Sequence, residues 1–342
     1  MKLVTFELAT LAGRIRRIGA LSDQGILDLN FAYARLLAER GHGRPQRVAD
    51  ALIPPDMLAF LEGGEPAMAA ARETLDLLLP LAETTPASHG PIGINGERLF
   101  HPPDDVTILA PLPRANLIRD FLAFEAHAKR GYERRGQEMP KLWYEIPVYY
   151  KGNPRAIIGP DTTVEWPSFT RKFDYELEIA CIIGKEGRDI PVERANEYIA
   201  GYTIFNDFSA RDVQMEEVSL RLGPSKGKDF ATGMGPMLVT PESVGDVRNL
   251  RMTAKVNGEL WSDGNSGASH WTFPQMIAHV SRSETLYPGD VFGSGTVGGG
   301  CGYELDRWVQ PGDLIELEIA TLGVLRHRVG SPVKEGMHVP AV

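Results

Sequence analysis

The sequence predicts a β-rich α+β protein, with a small N-terminal unit over residues 1–107 ahead of a larger unit over 108–342. Three observations carry this. From about residue 108 onward, short apolar strand-like runs alternate with turns and few helices interrupt them. Gly (36) and Pro (25) are both enriched, which favours turns and short strands over a helical bundle. The Pro/Gly/Ser-rich stretch "PLAETTPASHGPIGINGERLFHPPDD" separates that texture from a helical segment before it. A chain of 342 residues suits one large domain or two ordinary ones.

In chain order, residues 1–30 read as short strands with turns at "LAG" and "SDQG". Residues 28–84 carry helical apolar spacing in "FAYARLLAER", "MLAFLEGG" and "AMAAARETLDLLLP". After the connection come the strand-like runs "AIIGP", "YELEIACIIG", "YIAGYTIFND", "MLVT", "RMTAKVNGEL" and "LIELEIATLGVLRHRV". There is no internal repeat and no low-complexity segment.

Composition excludes several classes. Hydrophobic content of 43% and charged content of 24% are those of a soluble globular protein. A net charge of −9 argues against a nucleic-acid surface, which would be basic. Two cysteines, Cys181 and Cys301, are too few for a disulfide scaffold, and Cys181 sits in an apolar run as a core residue. Glu7 interrupts the apolar start, so no signal peptide is read, and no apolar run approaches the ~18 residues that span a bilayer. A cytoplasmic location is expected.

The run "FDYELEIACIIGK" (173–185) poses the first chemical question. Tyr175, Leu177, Ile179 and Cys181 form one apolar face, yet Glu176 and Glu178 share the other, about 7 Å apart along the chain. Either the strand has a solvated face, or the pair belongs to a metal site. Two buried like charges raise each other's pKa unless a cation is present, and oxygen-only ligands suit Mg²⁺, Ca²⁺ or Mn²⁺.

Four further segments hold candidates. In "IFNDFSARDVQ" (204–214), Asp207, Arg211 and Gln214 are spaced to share one helical face; an N-cap with an ordinary ion pair is the simpler reading. In "NLIRDFLAFEAHAKR" (116–130), Asp120 and His127 lie two helical turns apart on one face; a lone His on a helix is usually structural or merely solvated, but a carboxylate and an imidazole so placed could equally be ligand and base. "GPSKGKDFATGMGP" (223–236) contains a formal G-x-S-x-G at Ser225, but it follows a helix-like segment, so Lys226 and Lys228 are better candidates, as cations facing an anion. "GDVFGSGTVGGGCGYELDRW" (289–308) fits G-x-G-x-x-G at Gly293, Gly295 and Gly298, but a strand-like "YELDRW" follows where a dinucleotide site needs a helix. Glycine beside Thr296 points instead to close approach of main chain to a ligand. "SDGNSG" (262–267) fails as an EF-hand because Pro274 stands where the loop needs Glu.

Taken together, "DYELEIACIIGK", "GYTIFNDFSARDVQ", "KGKDFATGMGP", "VNGELWSDGNSG" and "LYPGDVFGSGTVGGG" resemble the fumarylacetoacetate hydrolase family over about residues 110–330. The resemblance implies a mixed β-sandwich roll, an N-terminal SH3-like barrel, a homodimer, and no nucleic-acid or membrane partner. It implies a divalent metal, Mg²⁺ or Ca²⁺ with Mn²⁺ also allowed, held by Asp120, Glu176, Glu178 and Asp207. His127 matches the family's general base and Glu304 the carboxylate behind it. Arg211, Gln214 and Lys228 match the groups around the reacting carbonyl, Thr296 a substrate-contacting threonine, and Arg135 and Tyr150 the groups holding a distal carboxylate. Where fumarylacetoacetase has a further substrate-contacting tyrosine, this chain has Val218 nearby. The implied activity is hydrolytic C–C cleavage of a β-diketo acid in the catabolism of aromatic compounds. Hydratases, decarboxylases and isomerases acting on 2-oxo acids share the fold, and a non-catalytic metal-binding protein or a serine hydrolase at Ser225 are the other readings.

Overall fold

The computed structural model describes residues 1–11, 13–23, 25–84 and 91–332. Side-chain alternation along the strand Leu177–Ile183 sets the architecture. Leu177, Ile179, Cys181 and Ile183 face one way and pack with Met252, Ala254, Ile315 and Leu317 of a second sheet. Ala180 and Ile182 face the other way and share a core with Ala34, Leu37, Phe60 and Ala71 of the N-terminal helices. A strand buried on both faces reads as a continuous apolar run, which is why two glutamates in it stand out.

The protein is therefore layered: helices, a large sheet, then a smaller sheet. Among the described residues the large sheet has twelve strands. Its path runs Phe100–His101, Gly25–Asp28, Gly13–Ser22, Lys2–Thr10, Thr232–Val239, Ile199–Asp207, Leu177–Ile183, Asp290–Gly293, Leu117–Phe121, Tyr149–Gly152. The smaller sheet orders Glu259–Asn265, Arg251–Val256, Leu314–Ile319, Gly323–Pro332 and Thr162–Trp166. This is the β-rich α+β fold that the sequence predicts.

The N-terminal segment departs from the expected SH3-like barrel. Lys2–Thr10 pairs antiparallel with Thr232–Val239, Leu3 opposite Leu238, so its strands extend the large sheet instead of closing on themselves. The helices Leu29–Glu39, Pro45–Leu52, Met57–Glu62 and Gly64–Thr84 then cover one face of that sheet. Asp28 starts this layer: its side chain caps the first helix at Phe31 N and pairs with the buried Arg17 at 2.7 Å. Residues 85–90 of the expected linker lie outside the described residues. Beyond them, Phe100–His101 and Thr107–Ile108 also pair with N-terminal strands, and the pairing of Lys2–Thr10 with Thr232–Val239 carries the sheet across the chain division at 107/108.

Two helix readings are also corrected. Asp120 ends up on the strand Leu117–Phe121 and His127 on the helix Glu125–Arg134, so they share no helical face. Asp207 closes the strand Ile199–Asp207, opposite Thr232, and the helix begins only at Arg211. In both cases ladder pairing outweighs the local helical spacing.

Candidate metal centre and active site

Neighbouring strands bring three carboxylates to one place. Asp207, Glu178 and Asp120 end the same face that elsewhere carries Phe205, Ala180, Ile182 and Ile118 of the helix-side core. Past that core the face opens into a cavity of about 390 Å³ lined by Asp120, His127, Glu176, Glu178, Arg211 and Lys228, among others. Between the Glu178 and Asp120 strands lies Asp290–Gly293, with Gly293 paired to Ala180 on one side and Asp120 on the other. A Cβ at Gly293 would collide with Asp120 Oδ1 and sit 3.2 Å from Glu178 Oε2. Glycine there leaves room for two carboxylates to meet.

The next residues complete the cradle. Gly295 N donates to Asp120 Oδ1 (3.2 Å) and Glu178 Oε2 (3.0 Å), and Thr296 Oγ1 donates to Glu178 Oε1 (3.4 Å). Glu176 lies just before the strand proper, its amide donating to Asn206 Oδ1 and its carboxylate 2.8 Å from Arg211 Nη1. Lys228 Nζ donates to both Glu176 Oε2 and Asp207 Oδ2. Tyr150 OH donates to Asp207 Oδ2 at 2.7 Å, at the carboxylate end of the cavity. Asp120, Glu176, Glu178 and Asp207 each bring an oxygen within 4.8 Å of the others, and all are buried. The solvated-face reading fails: Glu176 is 4% and Glu178 0% exposed.

The electrostatics are uneven. Burial raises the Asp120 carboxyl well above its ordinary range, and Asp207 adds to the shift. Burial does the same to Glu178, with Asp120 next. Burial also raises Asp207 despite Lys228. Only Glu176 is held below the ordinary value, because Lys228 and Arg211 together outweigh its burial. Arg211 is shared with Asp174, 2.7 Å away, so the cluster keeps excess negative charge. Asp207 Oδ1 is buried with no hydrogen-bond partner. An open carboxylate oxygen among four converging carboxylates fits a hard divalent cation.

Across the cavity, His127 Nδ1 lies 2.8 Å from Glu304 Oε1, and Glu304 Oε2 accepts the Gly299 amide. A carboxylate at Nδ1 selects the tautomer protonated there, leaving Nε2 as the acceptor. Nε2 lies 4.0 Å from Glu176 Oε1, so the imidazole faces the carboxylate cluster. "YELDRW" is not a strand: Gly302–Leu305 is one helical turn, because Asp174 accepts both Gly302 N (2.8 Å) and Tyr303 N (3.0 Å). Asp174 also takes Arg211 Nε at 2.8 Å. It thus ties Arg211 to the turn that carries Glu304, a role the sequence reading passed over in "FDYELE".

The remaining candidates divide. Arg135, Gln214, Thr296 and Val218 line the cavity, with Gln214 Oε1 accepting from Arg211 Nη1 at 3.2 Å. Lys226 is exposed, its ammonium 4.7 Å from the Phe169 ring centre, and does not line the cavity. Ser225 is also outside the lining, its Oγ donating to Glu217 Oε1, which leaves the nucleophile-elbow reading without support.

Known proteins are similar to this chain in sequence and in fold. The sequence profile described as Fumarylacetoacetate (FAA) hydrolase C-terminal matches residues 116–330. The mitochondrial oxaloacetate tautomerase FAHD2A of Homo sapiens is 30% identical over 331 residues, 96% of this chain and 91% of its own. The oxaloacetate tautomerase YisK of Bacillus subtilis is 29% identical over 314 residues, 91% of this chain and 94% of its own. In fold, the chain matches maleylpyruvate hydrolase from Sphingobium sp. SYK-6, solved with manganese(II) and pyruvate, at a TM-score of 0.65 and 23% identity, covering 96% of this chain and 99% of that one.

Proposed function

The chain belongs to the fumarylacetoacetate hydrolase family, and from that premise we propose that it is a divalent-metal-dependent hydrolase cleaving a C–C bond in a β-diketo acid. The substrate class is fumarylacetoacetate or an acylpyruvate, such as ring cleavage of aromatic compounds supplies. The observation that carries the reading is the 2.8 Å contact between His127 and Glu304, with the free Nε2 turned toward the four carboxylates.

Mg²⁺, Ca²⁺ or Mn²⁺ held by Asp120, Glu176, Glu178 and Asp207 would supply Lewis-acid polarisation of a dicarbonyl and charge stabilisation for an enolate. The chain's own residues do the rest. Glu304 keeps the proton on Nδ1, so His127 Nε2 takes a proton from water, and the hydroxide oxygen bonds to the carbonyl carbon. Arg211, Gln214 and Lys228 donate hydrogen bonds to the oxyanion that develops. When it collapses, the C–C bond breaks, its electron pair leaves on the carbon between the carbonyls, and imidazolium returns the proton there. Thr296, Tyr150 and Arg135 hold the substrate. The reading includes a cytoplasmic homodimer. Among the described residues no helix is long and apolar enough to cross a membrane.

A second reading is favoured by the names of the human and Bacillus relatives: tautomerisation of a 2-oxo acid, in which His127 moves a proton between carbon and oxygen without water attack. One experiment separates them. β-Diketo acids and enol oxaloacetate are each incubated with protein and Mg²⁺ or Mn²⁺; enol absorbance is followed and products are chromatographed. Appearance of two acid fragments from a β-diketo acid supports the hydrolase. Ketonisation of oxaloacetate without cleavage of any β-diketo acid replaces it with the tautomerase. Turnover of neither overturns both readings and leaves the hydratase, decarboxylase and non-catalytic metal-binding classes.

A further inference from the structure

The loop 220–227 leaves the end of the helix Arg211–Ser219, reverses, and comes back to lie against that same helix. Its return is held by one side chain. Glu217 accepts hydrogen bonds from Ser225 N (2.9 Å), Ser225 Oγ (3.0 Å), Lys226 N (2.7 Å) and Gly227 N (3.1 Å). The turn is closed from its other end, where Lys228 N and Asp229 N both donate to Ser225 O, at 2.9 and 2.7 Å. Gly227 presses on the helix so closely that a Cβ there would lie 2.8 Å from Gln214 N, and Gly227 O accepts Ala210 N at 2.8 Å. The residue that follows is Lys228, whose ammonium reaches Glu176 and Asp207.

Resting on the reading of Lys228 as a catalytic cation, we propose that Glu217 is a positioning residue for Lys228, acting through the Ser225–Gly227 turn. The physical case is one of restraint. A lysine side chain has four rotatable bonds and about 2 kcal/mol of rotamer entropy, so its head is placed only if its main chain is fixed. The ammonium is held at Glu176 and Asp207, and the main chain is held one residue earlier by a carboxylate accepting three consecutive amides. Helix Arg211–Ser219 thereby sets three donors at once: Arg211 and Gln214 directly, and Lys228 through Glu217. It also gives Ser225 a use, since the hydroxyl in the apparent nucleophile elbow is one of the four donors to Glu217.

The test is a double-mutant cycle on the metal-loaded protein with Glu217→Gln, Lys228→Met and the double variant, read by kcat, KM and hydrogen exchange of the peptide covering 222–230. Glu217→Gln places an NH₂ against amide donors, so kcat falls on the order of 10-fold to 100-fold with KM nearly unchanged, as for other supports of an active-site group. Exchange in 222–230 speeds up. In the Lys228→Met background the same change costs no further kcat. Glu217→Asp, which keeps the charge with shorter reach, retains more kcat than Glu217→Gln and serves if the latter does not fold. An equal kcat loss in both backgrounds, or unchanged exchange, overturns the proposal. If the wild-type protein turns over no substrate, it is the functional reading that fails; faster exchange in Glu217→Gln and Glu217→Asp still reports whether Glu217 holds the turn.

Discussion

His127 Nδ1 lies 2.8 Å from Glu304 Oε1, and the other oxygen of Glu304 is fixed by the Gly299 amide. The carboxylate thus sets both the ring's orientation and its tautomer. Glu304→Gln should cut kcat on the order of 10²-fold to 10⁴-fold, the range seen when a buried carboxylate behind a catalytic histidine is made neutral. His127→Ala should abolish turnover. Neither change should move a Mn²⁺ titration of the protein by more than a few-fold. Metal lost with His127→Ala would make the imidazole a ligand and not the base.

Glu178 offers a prediction with two opposite signs. Burial and then Asp120 push its carboxyl well above the ordinary range, so its ionised form costs folding free energy when no cation is bound. In EDTA, Glu178→Gln should therefore match or exceed the wild type in melting temperature. With saturating Mg²⁺ or Mn²⁺ the order should reverse, because a ligand that binds only the folded state stabilises it by an amount that grows with the logarithm of its affinity. Metal affinity of the variant should drop on the order of 10-fold to 100-fold. Calorimetric melting with and without metal checks both signs, and a variant that is stabilised by metal as strongly as the wild type removes Glu178 from the ligand set.

Gly293 is tested by adding one methyl group. In Gly293→Ala the Cβ would collide with Asp120 Oδ1 and crowd Glu178 Oε2, while the neighbouring strands Leu177–Ile183 and Leu117–Phe121 prevent the backbone from yielding. Metal binding should weaken at least as much as in Glu178→Gln, although no ligand has been changed. An unaltered metal titration would mean that the carboxylates do not converge as the geometry requires.

Much of this site was legible in the chain, and what was not has a physical cause. The pair Glu176 and Glu178 is conspicuous because polar side chains interrupt a strand buried on both faces. The sequence marks Asp120 and His127 as candidates but points to the wrong geometry for them. Their spacing of seven fits a helix, whereas the pairing of Asp120 with Gly293 and Tyr150 makes it a strand residue, and that pairing is decided by segments far away in sequence. Gly293 stands out in the sequence within a formal G-x-G-x-x-G, but what its missing Cβ would strike, Asp120 and Glu178, is set by strands far away in sequence. Asp174 stood in plain view but its two tasks, holding Arg211 and capping the Glu304 turn, join segments about 37 and 128 residues apart. The N-terminal strands were legible as strands; their continuation of the large sheet depends on the register of Leu3 with Leu238.

His327 supplies a pH prediction that invokes none of the four clustered carboxylates. Its ring is 0% exposed, packs edge-on to Phe208 with centroids 5.2 Å apart, and hydrogen-bonds through Nε2 to Gly159 O at 3.1 Å. Burial pushes its pKa from the ordinary 6.5 down to about 4. Between those values the unfolded chain binds a proton that the folded chain refuses, so stability rises with pH through the window and is lost as pH falls from about 6.5 toward 4. The interval corresponds to about 3 kcal/mol. Urea unfolding of the wild type and of His327→Phe, both in EDTA, reads this contribution as the difference between the two proteins. The stability of the wild type relative to the variant should be greatest near pH 7 and shrink by up to about 3 kcal/mol on going to pH 4. A difference that stays constant over that range would mean that His327 titrates equally in the folded and unfolded states, and that the burial of its ring does not disfavour its charge.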